Sequence, residues 1–161
     1  MADFVWGIQV LGHQVSVLTS DAPYLKEVDP SENGPNGESV RRSLKLKGDF
    51  NGGISQFDDP LHISEINVWN QELIHLLISD LRPDGVLLGN LDLLGSEVLQ
   101  PLIQYGCPVI HHIGFVSPPF GLDQRCYPFH ADYQIVAASE AVRKSLANAG
   151  LPVSNARVVY P

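Results

Sequence analysis

Cysteine is nearly absent: Cys107 and Cys126 are the only 2 among 161 residues, too few for a disulfide framework. The amino terminus lacks the charged start and apolar run of a secretory signal, so a reducing cytoplasm is the expected compartment. Basic residues are also scarce. Against 18 Asp and Glu there are 10 Lys and Arg, a formal charge of −8, which opposes attraction to phosphate backbones and anionic lipid. A nucleic-acid partner is therefore not expected. No apolar run approaches the roughly 18 residues of a spanning helix, which leaves only peripheral membrane contact open. There is no Gly-x-Ser-x-Gly elbow, no Gly-x-Gly-x-x-Gly and no Walker A loop, so a nucleophilic hydrolase, a dehydrogenase and a P-loop enzyme are all unsupported.

What is present is a 44% hydrophobic chain, enough for one domain with a core. Apolar residues Phe4, Val5, Ile8 and Leu11 have helical spacing, Gly12 ends it, and Val15 to Thr19 reads as a strand. Turn formers from Asp29 to Gly37 predict a surface loop. Ser43 to Lys47 alternates apolar and basic, which suits an edge strand, and Gly48 to Gly53 reads as another loop. Asp59-Pro60, an N-cap followed by proline at the first helical position, opens a helix to about Leu81. Its stripe is Ile66, Trp69, Leu73, Leu77 and Leu81, with Trp69 expected in the core, and Arg82-Pro83 stops it.

Gly85 to Gly89 is a short apolar run of the kind buried on both faces of a parallel sheet, with Asn90 to Asp92 as its carboxyl-end loop. A helix then extends to Tyr105. The central stretch runs from Gly106 to Gly121, where the strand Val109 to Ile113 carries adjacent His111 and His112 and empties into a loop at Gly114. Tyr133 to Ala138 is the next strand, Ser139 caps a helix from Glu140 to Ala149, and Arg157 to Tyr160 begins one more strand. The alternation predicts an α/β fold with a mostly parallel sheet flanked by helices. In such sheets ligands bind at the carboxyl ends of the strands. Neighbouring strand residues point to opposite faces, so His111 and His112 need only hydrogen-bond partners to be core residues.

Several segments carry a resemblance to a known family. Gly12-His-Gln-Val-Ser-Val-Leu-Thr-Ser20 is similar to the "RGHEVTVLTS" second strand of family 4 glycosyltransferases of the GT-B fold, and Leu81 to Asn90 resembles their "LRPDVVHVHN". Ala131 to Leu146, Ala149 to Pro152 and Arg157 to Tyr160 resemble "ADxVIAVSEAVRESL", "AGLP" and "RVVYNG". The resemblance implies a Rossmann-like, acceptor-side domain of a retaining glycosyltransferase, with the first strand, its Gly-rich loop and the carboxyl-terminal donor domain all missing from this chain. It implies a nucleotide-sugar donor, a glycan, lipid or small-molecule acceptor, no further cofactor and no metal, and no sugar transfer by the isolated chain.

The implied substrate-binding residues lie along one rim of the sheet: Ser20, Asp21, Asn90, Gly114, Ser139 and Glu140. His111 and His112 stand near the family's strand-end histidine, although Gly114 occupies its place when counted from Pro108, and they are the catalytic candidates. Ser139 has an independent structural role as a helix cap, and Glu140 as first-turn charge. A metal site built from His111, His112, Cys126 and His130 is disfavoured, because adjacent strand histidines point apart. The alternative function is a non-catalytic remnant or binding module of the same fold. Without a central strand, two inner sheet edges would be left unpaired, which predicts marginal stability or aggregation.

Overall fold

The computed structural model describes residues 2–22, 39–51, 54–118, 122 and 132–160. The chain forms two compact units, Met1–Leu46 and Lys47–Pro161, where composition suggests one domain. The expected loop Asp29 to Gly37 lies outside the described residues, as do Cys126 and His130.

In the first unit, helix α1 (Ala2–Val10) is followed by strand β1 (Ser16–Ser20), which pairs in parallel with β2 (Ser39–Leu44). The register shifts between Thr19 and Ser20, and the Asp21 N–H donates to the Leu44 carbonyl at 2.9 Å. Leu44 and Ser20 are buried, so the strand ends are the best-packed part of this pair.

The second unit opens with an antiparallel hairpin, β3 (Gly48–Asn51) and β4 (Ile54–Phe57). Helix α2 (Pro60–Leu81) begins where Asp59 Oδ1 accepts from the Leu61 and His62 N–H groups at 3.0 and 3.1 Å. It ends at Arg82, whose φ of 48° is left-handed, because Pro83 disfavours a helical residue before it. Strand β5 (Val86–Leu88) leads through two short 3₁₀ turns, Asp92–Leu94 and Ser96–Val98, to helix α3 (Leu99–Tyr105). Gly106 closes that helix with φ 82°, a conformation that a side chain would strain.

Strands β6 (Val109–Ile113), β7 (Tyr133–Ala137) and β8 (Arg157–Val158) complete a four-stranded sheet of order β5-β6-β7-β8, in which every pairing is parallel. Helix α4 (Glu140–Asn148) connects β7 to β8. In β6, Val109, His111, His112 and Ile113 are buried while Ile110 is exposed, so the face of Val109, His111 and Ile113 is covered throughout and the opposite face only at the carboxyl end. The molecule is thus α/β, with parallel strands and flanking helices.

Several local expectations need correction. Trp69 is 49% exposed. The buried face of α2 is Ile66, Asn70, Ile74, Leu77 and Ile78, rotated from the predicted stripe, with Leu81 exposed too. An apolar residue every three or four positions defines a stripe, but in so apolar a helix two stripes compete and packing selects between them. Gly48 to Asn51 is a strand and not a loop, and the strand expected at Ser43 to Lys47 is shifted to Ser39–Leu44. Lys47 is consequently not an exposed edge lysine. Its side chain is wholly buried and ion-paired with Glu97.

Candidate functional site

Alternation along β6 sends the two histidines to opposite faces of the sheet. On one face His111 is completely buried, and its Nδ1 lies 2.7 Å from the Tyr133 hydroxyl. The two rings meet edge to face at a centroid distance of 6.1 Å. Nε2 of His111 has no hydrogen-bond partner among the described residues. Burial drives its pKa down from 6.5 to about 4, the Gly89 backbone partly opposes this, and nearby His112 adds to it. His111 is therefore neutral at physiological pH.

On the other face His112 Nε2–H donates to the Val159 carbonyl at 3.0 Å, which ties the end of β6 to the residue just past β8. A backbone carbonyl only accepts, so this bond requires a proton on Nε2. Both rings brace the sheet from within.

The carboxyl ends of β5 and β6 are joined by side-chain chemistry. Asn90 Oδ1 accepts from the Gly114 N–H at 2.8 Å, and both residues are exposed. A Cβ at position 114 would sit 3.4 Å from the Asn90 amide, so glycine gives the loop its close approach. Two residues on, burial raises the pKa of Asp92, whose only opposing influence is its own backbone N–H. The sequence marked Asp92 only as part of the loop, and no spacing signal distinguishes it.

At the end of β7, Ser139 Oγ accepts from the Val142 N–H at 3.2 Å and caps α4. Glu140 Oε2 accepts from Arg143 Nη2 and Nε at 2.8 and 3.0 Å, while Arg143 Nη1 also donates to the Ser154 carbonyl. Both therefore have structural occupations. Asn90, Gly114, Ser139 and Glu140 share the carboxyl-end side of the four-stranded sheet, because its strands are parallel and each residue lies just past the carboxyl end of a strand. Ser20 and Asp21 belong to the first unit, at the end of β1, where Ser20 is buried and Asp21 exposed.

A second polar centre lies at the hairpin. The Lys47 ammonium donates to Glu97 Oε2, its backbone N–H donates to the Leu93 carbonyl at 2.9 Å, and its carbonyl accepts from the Asp58 N–H at 2.9 Å. Gln71 Nε2 donates to the Glu97 carbonyl and to Gln100 Oε1 at 3.0 and 3.1 Å, connecting α2 to the same turn. Gly95, at φ 77°, leaves room for the ammonium: a Cβ there would lie 2.2 Å from Nζ.

Among the described residues no three His, Cys, Asp or Glu side chains converge as a metal cage. No described helix is long and apolar enough to cross a membrane. Comparison with family models, curated proteins and solved structures finds no match to this chain.

Proposed function

We propose that this chain is the acceptor-side, Rossmann-like domain of a retaining glycosyltransferase of the GT-B fold. The bond from Gly114 N–H to Asn90 Oδ1 is the observation that carries the reading. It joins two strand-end loops on the side of a parallel sheet where ligands bind, and leaves the exposed Asn90 amide N–H groups open to a substrate hydroxyl. The sequence resemblance, spread in order from Gly12 to Tyr160, supplies the class of substrate.

On this reading the rim formed by Asn90, Gly114 and the first turn of α4 holds a glycan, lipid-linked or small-molecule acceptor. The nucleotide-sugar diphosphate is held by a second domain, where basic groups and helix ends stabilise the leaving charge. Proton transfer at neutral pH needs a group that titrates near 7, and His111, buried and titrating near 4, does not. Its contribution is to fix the β6 end from below, as a neutral ring held by Tyr133. His112 plays the matching part through Val159.

The neutral, buried state of His111 favours one alternative, a non-catalytic binding module of the same fold. Saturation-transfer NMR on the full chain tests the acceptor rim, using UDP-glucose, GDP-mannose, maltose, lactose and a short-chain prenyl phosphate as probes. The glycosyltransferase reading expects saccharide or prenyl phosphate binding that weakens in Asn90→Ala, with no binding of either nucleotide-sugar. Nucleotide-sugar binding at this rim, or no binding of any probe, contradicts it.

A further inference from the structure

Among the described residues, the lysine and arginine side chains withdrawn from solvent are Arg42, Lys47 and Arg143, and they are not partnered alike. Lys47 is wholly buried against Glu97. Arg143, half-buried, gives its guanidinium N–H groups to Glu140 and to the Ser154 carbonyl. Arg42, half-buried on β2, has no such arrangement. Its Nε is closed off from solvent without a hydrogen-bond partner, and no described carboxylate, Asp21 at the end of β1 included, pairs with it. A guanidinium keeps its charge, so withdrawing it from water without a counter-charge is costly. The other buried orphan atom of the first unit, Gln9 Oε1, is a neutral acceptor and supplies none.

The β1–β2 ladder puts a hydroxyl beside this cation. Thr19 is the register partner of Arg42, and partners across a ladder share a face, so their side chains leave the same side of the strand pair. Val17 and Val40 precede them on that face. Because the two strands are parallel, Thr19 and Arg42 lie toward the carboxyl ends of both, the side on which α/β sheets hold ligands. Leu18 and Arg41 take the opposite face, where Arg41 is exposed.

We propose that Arg42 and Thr19 form a binding site for a terminal phosphate group, free or as a monoester. The Nε edge of a guanidinium presents two parallel N–H donors that match two oxygens of one oxyanion. The third phosphate oxygen is left for the Thr19 hydroxyl, an oxygen that a carboxylate does not have. The bound anion supplies the counter-charge that Arg42 lacks. A formal charge of −8 opposes an extended polyanion, so the ligand is a small molecule and not a nucleic acid. The diphosphate of a nucleotide-sugar has no phosphorus with three free oxygens and fits less well. Both residues belong to the first unit, so this inference does not depend on the Asn90 rim or on the glycosyltransferase reading.

The test is an NMR titration of the full chain at neutral pH, with ionic strength held constant by chloride. It reads the Arg42 Nε–H and the backbone amides of Thr19 and Arg42 against inorganic phosphate, glycerol 3-phosphate and acetate. Phosphate should shift these signals saturably and acetate should not. A matching response to glycerol 3-phosphate assigns the site to a monoester, and a response to phosphate alone assigns it to the free ion. Arg42→Lys, which keeps the charge and loses the fork, should weaken binding by ~10-fold or more, and Thr19→Val by less. The parent-chain titration reads the site even where a variant fails to fold. The proposal is overturned by shifts that do not saturate, by equal shifts with acetate, or by an Arg42→Lys chain that binds as tightly as the parent. It is equally overturned if the Arg42 Nε–H of the free chain shows nuclear Overhauser contacts to an Asp or Glu side chain, which would mean an internal ion pair.

Discussion

The buried His111 ring and the Tyr133 hydroxyl, 2.7 Å apart on adjacent strands, form a polar pair inside an otherwise apolar sheet face. Removing the hydroxyl leaves a buried ring nitrogen unsatisfied, which costs about 1–3 kcal/mol. Tyr133→Phe is expected to lower the urea midpoint accordingly with an unchanged m-value.

The same ring makes stability depend on acid. His111 is held below its ordinary value of 6.5, at about 4. Below pH 6.5 the unfolded chain takes up a proton that the folded chain refuses, so the stabilisation present above 6.5 is lost progressively as pH falls to about 4, roughly 3 kcal/mol in all. Urea unfolding at pH 7, 5.5 and 4.5 should show this loss, and His111→Asn should show a smaller pH dependence than the parent chain.

Lys47 and Glu97 should respond unequally to replacement. Glu97→Ala leaves the ammonium inside without its carboxylate and is expected to cost ~2–4 kcal/mol, whereas Lys47→Met replaces the charge by an apolar chain of similar length and costs less. Gly95→Ala places a methyl against the ammonium at a left-handed φ, for a loss of about 1–3 kcal/mol. Chemical denaturation of the three variants checks the order.

Ser139→Ala removes the α4 cap and should cost about 1 kcal/mol. Ser139→Asp, which keeps an accepting oxygen at the helix start, should restore most of it. Thermal unfolding of both variants is sufficient.

The sequence made much of this structure legible, and physical reasons separate what was legible from what was not. Asp59-Pro60, Arg82-Pro83, Gly106 and Ser139 mark helix ends by local stereochemistry, and all stand where expected. Parallel strands at Val86, Val109 and Tyr133 follow from the alternation of strands with helices, and the continuous apolar run at Val86–Leu88 marks one of them. The buried face of α2 is not legible from residue type, because Trp69, Leu61, Val68 and Leu76 are exposed while Asn70 is wholly buried. The burial of Lys47 is invisible to local pattern because its partner Glu97 is 50 positions away. At the candidate site, strand-end position brought Asn90 and Gly114 into view, but their hydrogen bond and the burial of Asp92 depend on how two loops meet.

The most direct test of an acceptor-binding strand-end rim is an amide-resolved NMR titration of the full chain with maltose and with a short-chain prenyl phosphate. The account predicts shifts at Asn90, Gly114 and the first turn of α4 for at least one probe, lost in Asn90→Ala while Ser139 still caps α4. Shifts confined to the amino ends of the strands, near Gly85 and Pro108, or an Asn90→Ala chain that binds as tightly as the parent, would contradict it.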